Sequence, residues 1–303
     1  MPALLLHMTV ARQVADHAGS NDDPVARAAR AEPGALLLGS IWPDLPYHAR
    51  FGLQLVRHLL RRRYRPSEWG DVLHSRGTGQ LALAMLSYAR RVHAAERERQ
   101  QAIALAAGYL CHCAMDTIVH PEINRIVARE GPGTDLPADA VHAEAERVQS
   151  LLYHHEMLGY DITGSAYPIE LVGAMTGAGL LRPRLDDALW QICRAAMLQT
   201  HGRCPTAAEV GDWLWGVTAY AHLMGSSFGR RSEGLRGDLD QLRTERYRGP
   251  TVDLATPLQR AIERTLQHWR AAADLLAEDR LSEEACQLFG RRVPDVDLNM
   301  GLC

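Results

Sequence analysis

Residues 106–124 read AAGYLCHCAMDTIVHPEIN, an apolar run in which three ligand-type side chains recur at intervals of four. On an α-helix, positions four apart lie on neighbouring turns of one face, so His112, Asp116 and His120 form a single stripe. Burying an ionised carboxylate such as that of Asp116 is costly unless a cation compensates its charge. The stretch therefore predicts a buried helix that presents a metal site, and Pro121 is expected to kink or end that helix.

A second pair of ligand-type residues follows in DAVHAEAERV, at 139–148, where His142 and Glu146 are four apart. That spacing brings two helical side chains to one ion. The structural alternatives are a core histidine with one hydrogen bond and a chance pair on a solvated helix. For His142 and Glu146 alone these alternatives stay open.

Further candidates lie upstream in short motifs, each weak by itself: His7, Asp44, His48 and His74. Asp44 follows Pro43, a position where aspartate is also a common turn residue. These motifs gain weight together because they occur in a fixed order before His112, Asp116 and His120.

Outside these motifs the hydrophobic periodicity is helical nearly throughout. It predicts helices over 1–18, 79–95, 101–119, 139–157, 186–199, 208–225 and 255–278. Alternating runs of Val, Ile and Thr are almost absent, so strands are not expected. Breaks are predicted at EPG (32–34), RPSEWG (65–70), GPGTDLP (131–137) and RGP (248–250). We expect an all-α single domain over 1–303, with a metal-site core in 1–150 and additional helices in 151–303 that include an exposed excursion near 229–257.

Composition bounds the class of protein. The chain has 303 residues, of which 47% are hydrophobic and 23% charged, and a formal net charge of −3. These values indicate a globular protein without the cationic surface that duplex nucleic acid requires. Every basic residue is Arg, which excludes a lysine nucleophile, and six cysteines in a chain this long do not indicate a disulfide framework. The sequence gives no indication of oligomeric state.

The amino-terminal sequence MPALLLHMTVARQ has no positive residue before its apolar stretch and no small-residue cleavage site. A secretory signal is therefore not expected. We also expect no transmembrane segment, because no run of about 18 apolar residues stands out. The cytoplasm is the expected location.

Taken in order, the motifs resemble the zinc-dependent phospholipase C family, whose fold is shared with single-strand-specific zinc nucleases. The likeness covers about residues 1–150 and is carried by His7, the segment LLLGSIWPD that ends at Asp44, His74, GYLCHCAMDTIVHPEI, and His142 with Glu146. The most specific element is the run that contains residues 112–120. The resemblance implies an all-α fold that holds two or three zinc ions and hydrolyses a phosphoester.

By the same resemblance, His74, His112 and Asp116 hold one zinc ion, and Asp116 bridges to a second. That second ion is completed by His7 and by the amino-terminal residue. Removal of the initiator methionine would make this residue Pro2, whose amine becomes a possible ligand.

The resemblance assigns His120, His142 and Glu146 to the third ion, and Asp44 to the role of general base or water orienter. Secreted relatives place the histidine that follows the bridging aspartate at a longer interval than the single turn between Asp116 and His120. The third site is therefore expected to differ in shape.

Three classes of function follow. The first is a zinc-dependent hydrolase acting on a small-molecule or lipid phosphoester. The second is a dimetal helical oxidase or oxygenase, because imidazole suits iron as well as zinc. The third is a metal-binding module without turnover. A phosphohydrolase of the HD type is not expected, since that family needs adjacent His and Asp whereas His112 and Asp116 are one turn apart.

Overall fold

The structure, a computed structural model, describes residues 3–18, 23–59, 67–91, 95–130, 138–159, 161–176, 183, 185–234 and 255–300. Over these residues it contains fourteen α-helices, one 3₁₀ turn and no strand, which confirms the all-α prediction. The helices are α1 Ala3–His17, α2 Pro24–Ala31, α3 Pro33–Ile41, α4 Phe51–Leu59, α5 Glu68–Ser75, α6 Thr78–Arg91, α7 Glu96–Glu130, α8 Ala138–Leu158, α9 Tyr167–Thr176, α10 Asp187–His201, α11 Ala207–Gly225, α12 Ser227–Gly234, α13 Ala255–Ala277 and α14 Glu283–Arg292. The 3₁₀ turn, Leu45–His48, lies between α3 and α4.

Each helix predicted from periodicity coincides with a helix of the structure, and most ends differ by at most four residues. The exception is α7, which begins five residues before the predicted start at 101 and continues eleven residues beyond the predicted end at 119. The helices that periodicity missed are mostly short. In α3, PGALLLGSI, every residue after the first two is buried, so no polar face marks a period. EPG forms the junction of α2 and α3, with Pro33 at the first turn of α3.

Some predicted features lie wholly or partly outside the described residues. The breaks at 131–137 and 248–250 lie outside them, as do positions 65 and 66 of RPSEWG. Of the predicted excursion, 229–234 belongs to α12 and 255–257 begins α13, and the remainder is outside the described part of the chain.

Helix α7 is the central element of the fold. Its 35 residues span about 50 Å, and it packs against α1, α2, α3, α6, α8, α10 and α13. Pro121 lies inside the helix, which continues to Glu130 rather than ending at the proline. The indole Nε1 of Trp269 on α13 donates to the carbonyl oxygen of Ala107 at 3.0 Å. The carboxy-terminal helices therefore pack on the same core helix that carries the ligand stripe.

A part of α7 is long and apolar enough to cross a membrane by length and composition, contrary to the expectation that no such run exists. However, 89% of that apolar window is buried inside the protein. Its apolar character is therefore that of a core helix.

Helices α3 and α7 approach each other at two glycines. A Cβ atom on Gly39 would lie 2.0 Å from the carbonyl oxygen of Leu105, and one on Gly108 would lie 2.0 Å from the carbonyl oxygen of Leu36. Any larger residue at either position would force the two backbones apart. This close packing positions His112, one turn beyond Gly108, next to the end of α3.

Candidate metal centre

Five parts of the chain bring ligand-type side chains together. His7 comes from α1, His74 from α5, and Asp44 from the turn after α3. Helix α7 contributes His112, Asp116 and His120, and α8 contributes His142 and Glu146. Within the described residues these side chains form three groups whose ligand atoms lie within 4.8 Å of one another: His7, His112 and Asp116; Asp44, His74 and His112; and His120, His142 and Glu146.

Asp116 lies between the first two groups. Its Oδ1 is 3.1 Å from Nε2 of His7, and its Oδ2 is 3.0 Å from Nε2 of His112 and 3.6 Å from Nε2 of His74. The side chain is 3% exposed. Each carboxylate oxygen therefore faces a different imidazole, the arrangement that a carboxylate bridging two cations requires.

Asp44 lies closer to the ligands than a water-orienting role alone requires. Its Oδ1 is 3.3 Å from Nε2 of His74, and its Oδ2 is 3.9 Å from Nε2 of His7. At 17% its side chain is more exposed than that of Asp116. The position suits both a metal ligand and a base that faces an entering water.

The third group is formed across α7 and α8. Oε1 of Glu146 is 3.2 Å from Nε2 of His120 and 3.0 Å from Nε2 of His142. The His142 side chain is 29% exposed, against 2% for His74 and 0% for His112. This group is therefore the one nearest the solvent.

Three of the histidines have Nδ1 within hydrogen-bonding distance of a backbone carbonyl oxygen. Nδ1 of His74 donates to Gly70 at 2.8 Å, Nδ1 of His112 to Ser40 at 3.0 Å, and Nδ1 of His120 to Leu298 at 2.6 Å. Such a bond puts the ring proton on Nδ1 and leaves the lone pair of Nε2 for a cation. His74, His112 and His120 therefore have the outer hydrogen bonds that metal-binding imidazoles use.

Two ligand atoms test whether these residues fit a cation. Nε2 of His112 and Oδ2 of Asp116 are 3.0 Å apart, yet both atoms are buried and neither has an aligned hydrogen-bond partner. Buried polar atoms without partners are costly. A divalent cation between them would remove that cost, and imidazole with carboxylate is a donor set that suits zinc. The residues therefore fit the metal.

The electrostatics of the carboxylates agree with this. Burial raises the pKa of Asp44, but the His112 charge and the His74 hydrogen bond outweigh burial and lower that pKa to about 2. Burial also raises the pKa of Asp116, but the His112 charge outweighs burial and holds that pKa well below its usual range. At Glu146, hydrogen bonds from His120 and His142 outweigh burial and hold the pKa well below its usual range. All three carboxylates are therefore anionic at neutral pH.

The histidines respond in the opposite direction. Burial lowers the pKa of His112, but Asp116 outweighs burial and raises it. At His120, Asp116 and Glu146 together outweigh burial and raise the pKa to about 10. A raised pKa favours the protonated form of these rings in the metal-free chain, and a cation would displace those protons, so metal binding is expected to release protons.

A small cavity of about 20 Å³ lies among the groups, lined by Leu6, His7, Met115, Asp116, Val119, His120, Ile123, Glu146 and Gln149. A larger groove of about 280 Å³ lies between α7 and α13, and none of the ligand-type residues lines it. We place the site at the smaller cavity, because the chemistry-bearing atoms converge there.

Some sequence candidates lie apart from the three groups. His48 is buried and packs against Tyr220, with ring centroids 5.6 Å apart, and burial lowers its pKa to about 3. Cys111, which lies beside His112 but is not among the sequence candidates, is buried, and burial raises the pKa of its thiol to about 12, as in a core thiol rather than a ligand. Pro2 lies outside the described residues.

Sequence reasoning missed the carbonyl groups that orient the histidines. The Gly70 carbonyl is one turn before His74 and follows from the helix itself. The Ser40 and Leu298 carbonyls lie 72 and 178 residues from their histidines, and no local pattern signals either of them.

Comparison with known proteins agrees with the geometry. A family model described as zinc dependent phospholipase C matches residues 6–194, which contain all eight residues of the three groups. No curated protein and no solved structure matches the chain.

Proposed function

Because the chain belongs to the zinc-dependent phospholipase C family, we propose that its three ligand groups bind two or three zinc ions and that the loaded protein hydrolyses a phosphoester. A phospholipid is the substrate that the family name suggests. A soluble phosphoester offers the same reacting group. The two substrates differ in whether the protein must meet a lipid surface.

The observation that carries this proposal is the position of Asp116. Its two oxygens face His7 on one side and His112 with His74 on the other, at 3.0–3.6 Å. A shared carboxylate between two histidine groups is the feature that places two cations a few ångströms apart. A single structural zinc site needs no such bridge.

The residues of the chain divide the work of hydrolysis. When bound, zinc supplies a Lewis acid that polarises a phosphoryl oxygen and makes water more acidic. The anionic Asp44, the more exposed of the two aspartates, accepts a proton of the attacking water at Oδ2 as the bond from water oxygen to phosphorus forms. The ester bond from phosphorus to the leaving oxygen breaks, and that oxygen keeps the bonding electron pair and takes a proton from solvent water. His120, His142 and Glu146 would hold the ion nearest the solvent, which would neutralise charge on a phosphoryl oxygen.

The family match favours this hydrolase over the iron oxidase that the ligand types alone left open. A metal-binding module without turnover has the same ligands and differs only in activity. The two are separated by assaying the zinc-loaded protein rather than by its metal content.

The first experiment is metal content of the tag-free protein by plasma mass spectrometry, with Asp116→Ala as the control. Two to three zinc ions per chain are expected, with a large loss in the variant. The zinc-loaded protein is then assayed on phosphatidylcholine vesicles and on a soluble aryl phosphodiester. Iron in place of zinc, or zinc without hydrolysis of any phosphoester, would overturn the proposal.

A cytoplasmic location, a single domain over 1–303 and the amine of Pro2 as a ligand stay predictions. Fractionation of cells tests the location, and limited proteolysis tests the domain. An intact mass that retains the initiator methionine would exclude the Pro2 amine.

A further inference from the structure

Leu298 connects two ligand histidines that belong to different groups. Its backbone N–H donates to the carbonyl oxygen of His74 at 2.8 Å, and its carbonyl oxygen accepts from Nδ1 of His120 at 2.6 Å. His74 belongs to the group with Asp44, and His120 to the group with Glu146. Leu298 is thus hydrogen-bonded to one ligand residue in each of these two groups.

The segment 293–300, here the C-terminal segment, is held firmly at its start by α6. Thr78 Oγ1 donates to the carbonyl oxygen of Val296 at 3.0 Å and accepts from its N–H at 2.9 Å. The backbone N–H and side-chain amide of Gln80 donate to the carboxylate of Asp295 at 3.0 and 2.8 Å. The segment is therefore fixed before it reaches the metal centre.

The far end of the C-terminal segment is held by α7 and by the core. The Asn124 side-chain amide donates to the carbonyl oxygen of Asn299 at 3.1 Å. The side chain of Leu298 is 0% exposed and belongs to the main hydrophobic cluster. A buried leucine with hydrogen-bonded neighbours gives a fixed backbone position, which is what an acceptor for a ligand histidine needs.

The carbonyl acceptor of His120 and the carbonyl acceptor of His112 lie in different parts of the chain relative to the family match. The acceptor for His112 is Ser40, which lies inside the matched family region, residues 6–194. The acceptor for His120 is residue 298, which lies beyond that region. The orientation of His120 thus depends on a part of this chain that the family match does not cover.

We propose that the C-terminal segment is a positioning element of the metal centre: Leu298 fixes the ring of His120 toward Glu146 and ties that ring to the backbone of His74. Residues 293–300 then set the metal affinity of the group formed by His120, His142 and Glu146. The affinity readout rests on the proposed function, whereas the orientation of His120 can be measured without metal.

The affinity test compares two shortened chains. A chain that ends at Val296 lacks Leu298 and Asn299, whereas a chain that ends at Met300 keeps every contact described above. Zinc affinity is measured by competition with a chromophoric chelator. We expect one ion to bind about 10–100-fold more weakly to the shorter chain, with no change for the chain ending at Met300. Equal affinities in both would overturn the proposal.

The orientation test uses the zinc-free chains with ¹⁵N-labelled histidine. In the chain ending at Met300, the Nδ1–H of His120 is expected to show the signature of a hydrogen-bonded proton. This hydrogen bond is expected to be lost in the shorter chain. His112 is the internal reference, because its acceptor Ser40 lies on α3. An unchanged His120 signal beside an unchanged His112 signal would overturn the proposal. If the full chain binds no zinc, the proposed function fails while this measurement still decides the role of Leu298.

A second pair of variants applies if the shorter chain does not fold, as loss of the His112 signal would show. Leu298→Ala and Leu298→Pro both remove the leucine side chain, but only proline removes the N–H that donates to His74. We expect zinc to bind about tenfold more weakly to the proline variant than to the alanine variant. Equal zinc affinities in the pair would show that the bond to His74 does not position the centre.

Discussion

Nδ1 of His112 lies 3.0 Å from the carbonyl oxygen of Ser40, a residue 72 positions earlier in the chain. The bond forms because α3 and α7 touch at Gly39 and Gly108, where added Cβ atoms would lie 2.0 Å from the opposing backbones. Helix packing and ligand orientation are thus one feature of this structure. Changes that separate the two helices are expected to affect both stability and metal binding.

Gly108→Ala tests this link. The new Cβ would meet the Leu36 carbonyl, so we expect a loss of about 1–3 kcal/mol in the free energy of unfolding together with weaker zinc binding. Gly211→Ala on α11 is the matched control, because a Cβ there meets nothing within 4 Å. Removing a helical glycine should stabilise that control by up to about 1 kcal/mol. Urea unfolding of both variants checks the contrast, and a Gly108→Ala protein as stable as its parent would contradict it.

Asp116→Asn tests the bridging carboxylate. The amide keeps the shape of the side chain but removes the charge that faces His7 and His112. We expect the zinc content to fall to about one ion per chain, since both ions that Asp116 would bridge lose a ligand, whereas the group on α7 and α8 keeps its three members. Plasma mass spectrometry measures this. Asp71→Asn, at an exposed position of α5, is the control and should keep its zinc.

Glu146→Gln tests the third group. Glu146 accepts from both His120 and His142, so its loss should remove one ion and leave about two. Glu144 lies on the same helix and pairs with Arg147, so Glu144→Gln is the matched control. Equal zinc content in the two variants would argue against a third site.

Asp44→Asn tests whether Asp44 is a metal ligand or only a general base. Oδ1 of Asp44 lies 3.3 Å from Nε2 of His74, and from this distance we expect the variant to lose about one zinc ion as well as its activity. A role as general base alone predicts full zinc content with lost turnover. Measuring metal content and hydrolysis on the same sample distinguishes the two roles.

His268 predicts a pH dependence of stability. The ring is 6% exposed, and burial lowers its pKa from 6.5 to about 4. Below pH 6.5 the unfolded chain binds a proton that the folded chain resists, so stability is complete above pH 6.5 and is lost as the pH falls toward 4. The loss attributable to this residue amounts to about 3 kcal/mol.

Urea unfolding of the zinc-free protein between pH 7 and pH 4 measures this loss. His268→Asn should flatten the dependence, and the exposed His17→Asn provides the matched control. Identical slopes in wild type and His268→Asn would contradict the role of this ring.

The sequence by itself determined the features that act within one helix. Spacing of four placed His112, Asp116 and His120 on one face of α7, and His142 beside Glu146 on α8, because an α-helix has 3.6 residues per turn. Helical periodicity predicted the long helices for the same reason. It missed α3, whose residues are buried nearly all round.

Only the tertiary structure decided how the groups converge. That Asp44 lies 3.3 Å from His74, that Ser40 orients His112, and that Leu298 orients His120 are relationships between residues 30 to 178 positions apart. Such contacts depend on how closely helices pack, which here follows from two glycines and a buried leucine. No local sequence pattern encodes the distance between two packed helices, because the side chains of both helices together determine how closely they pack.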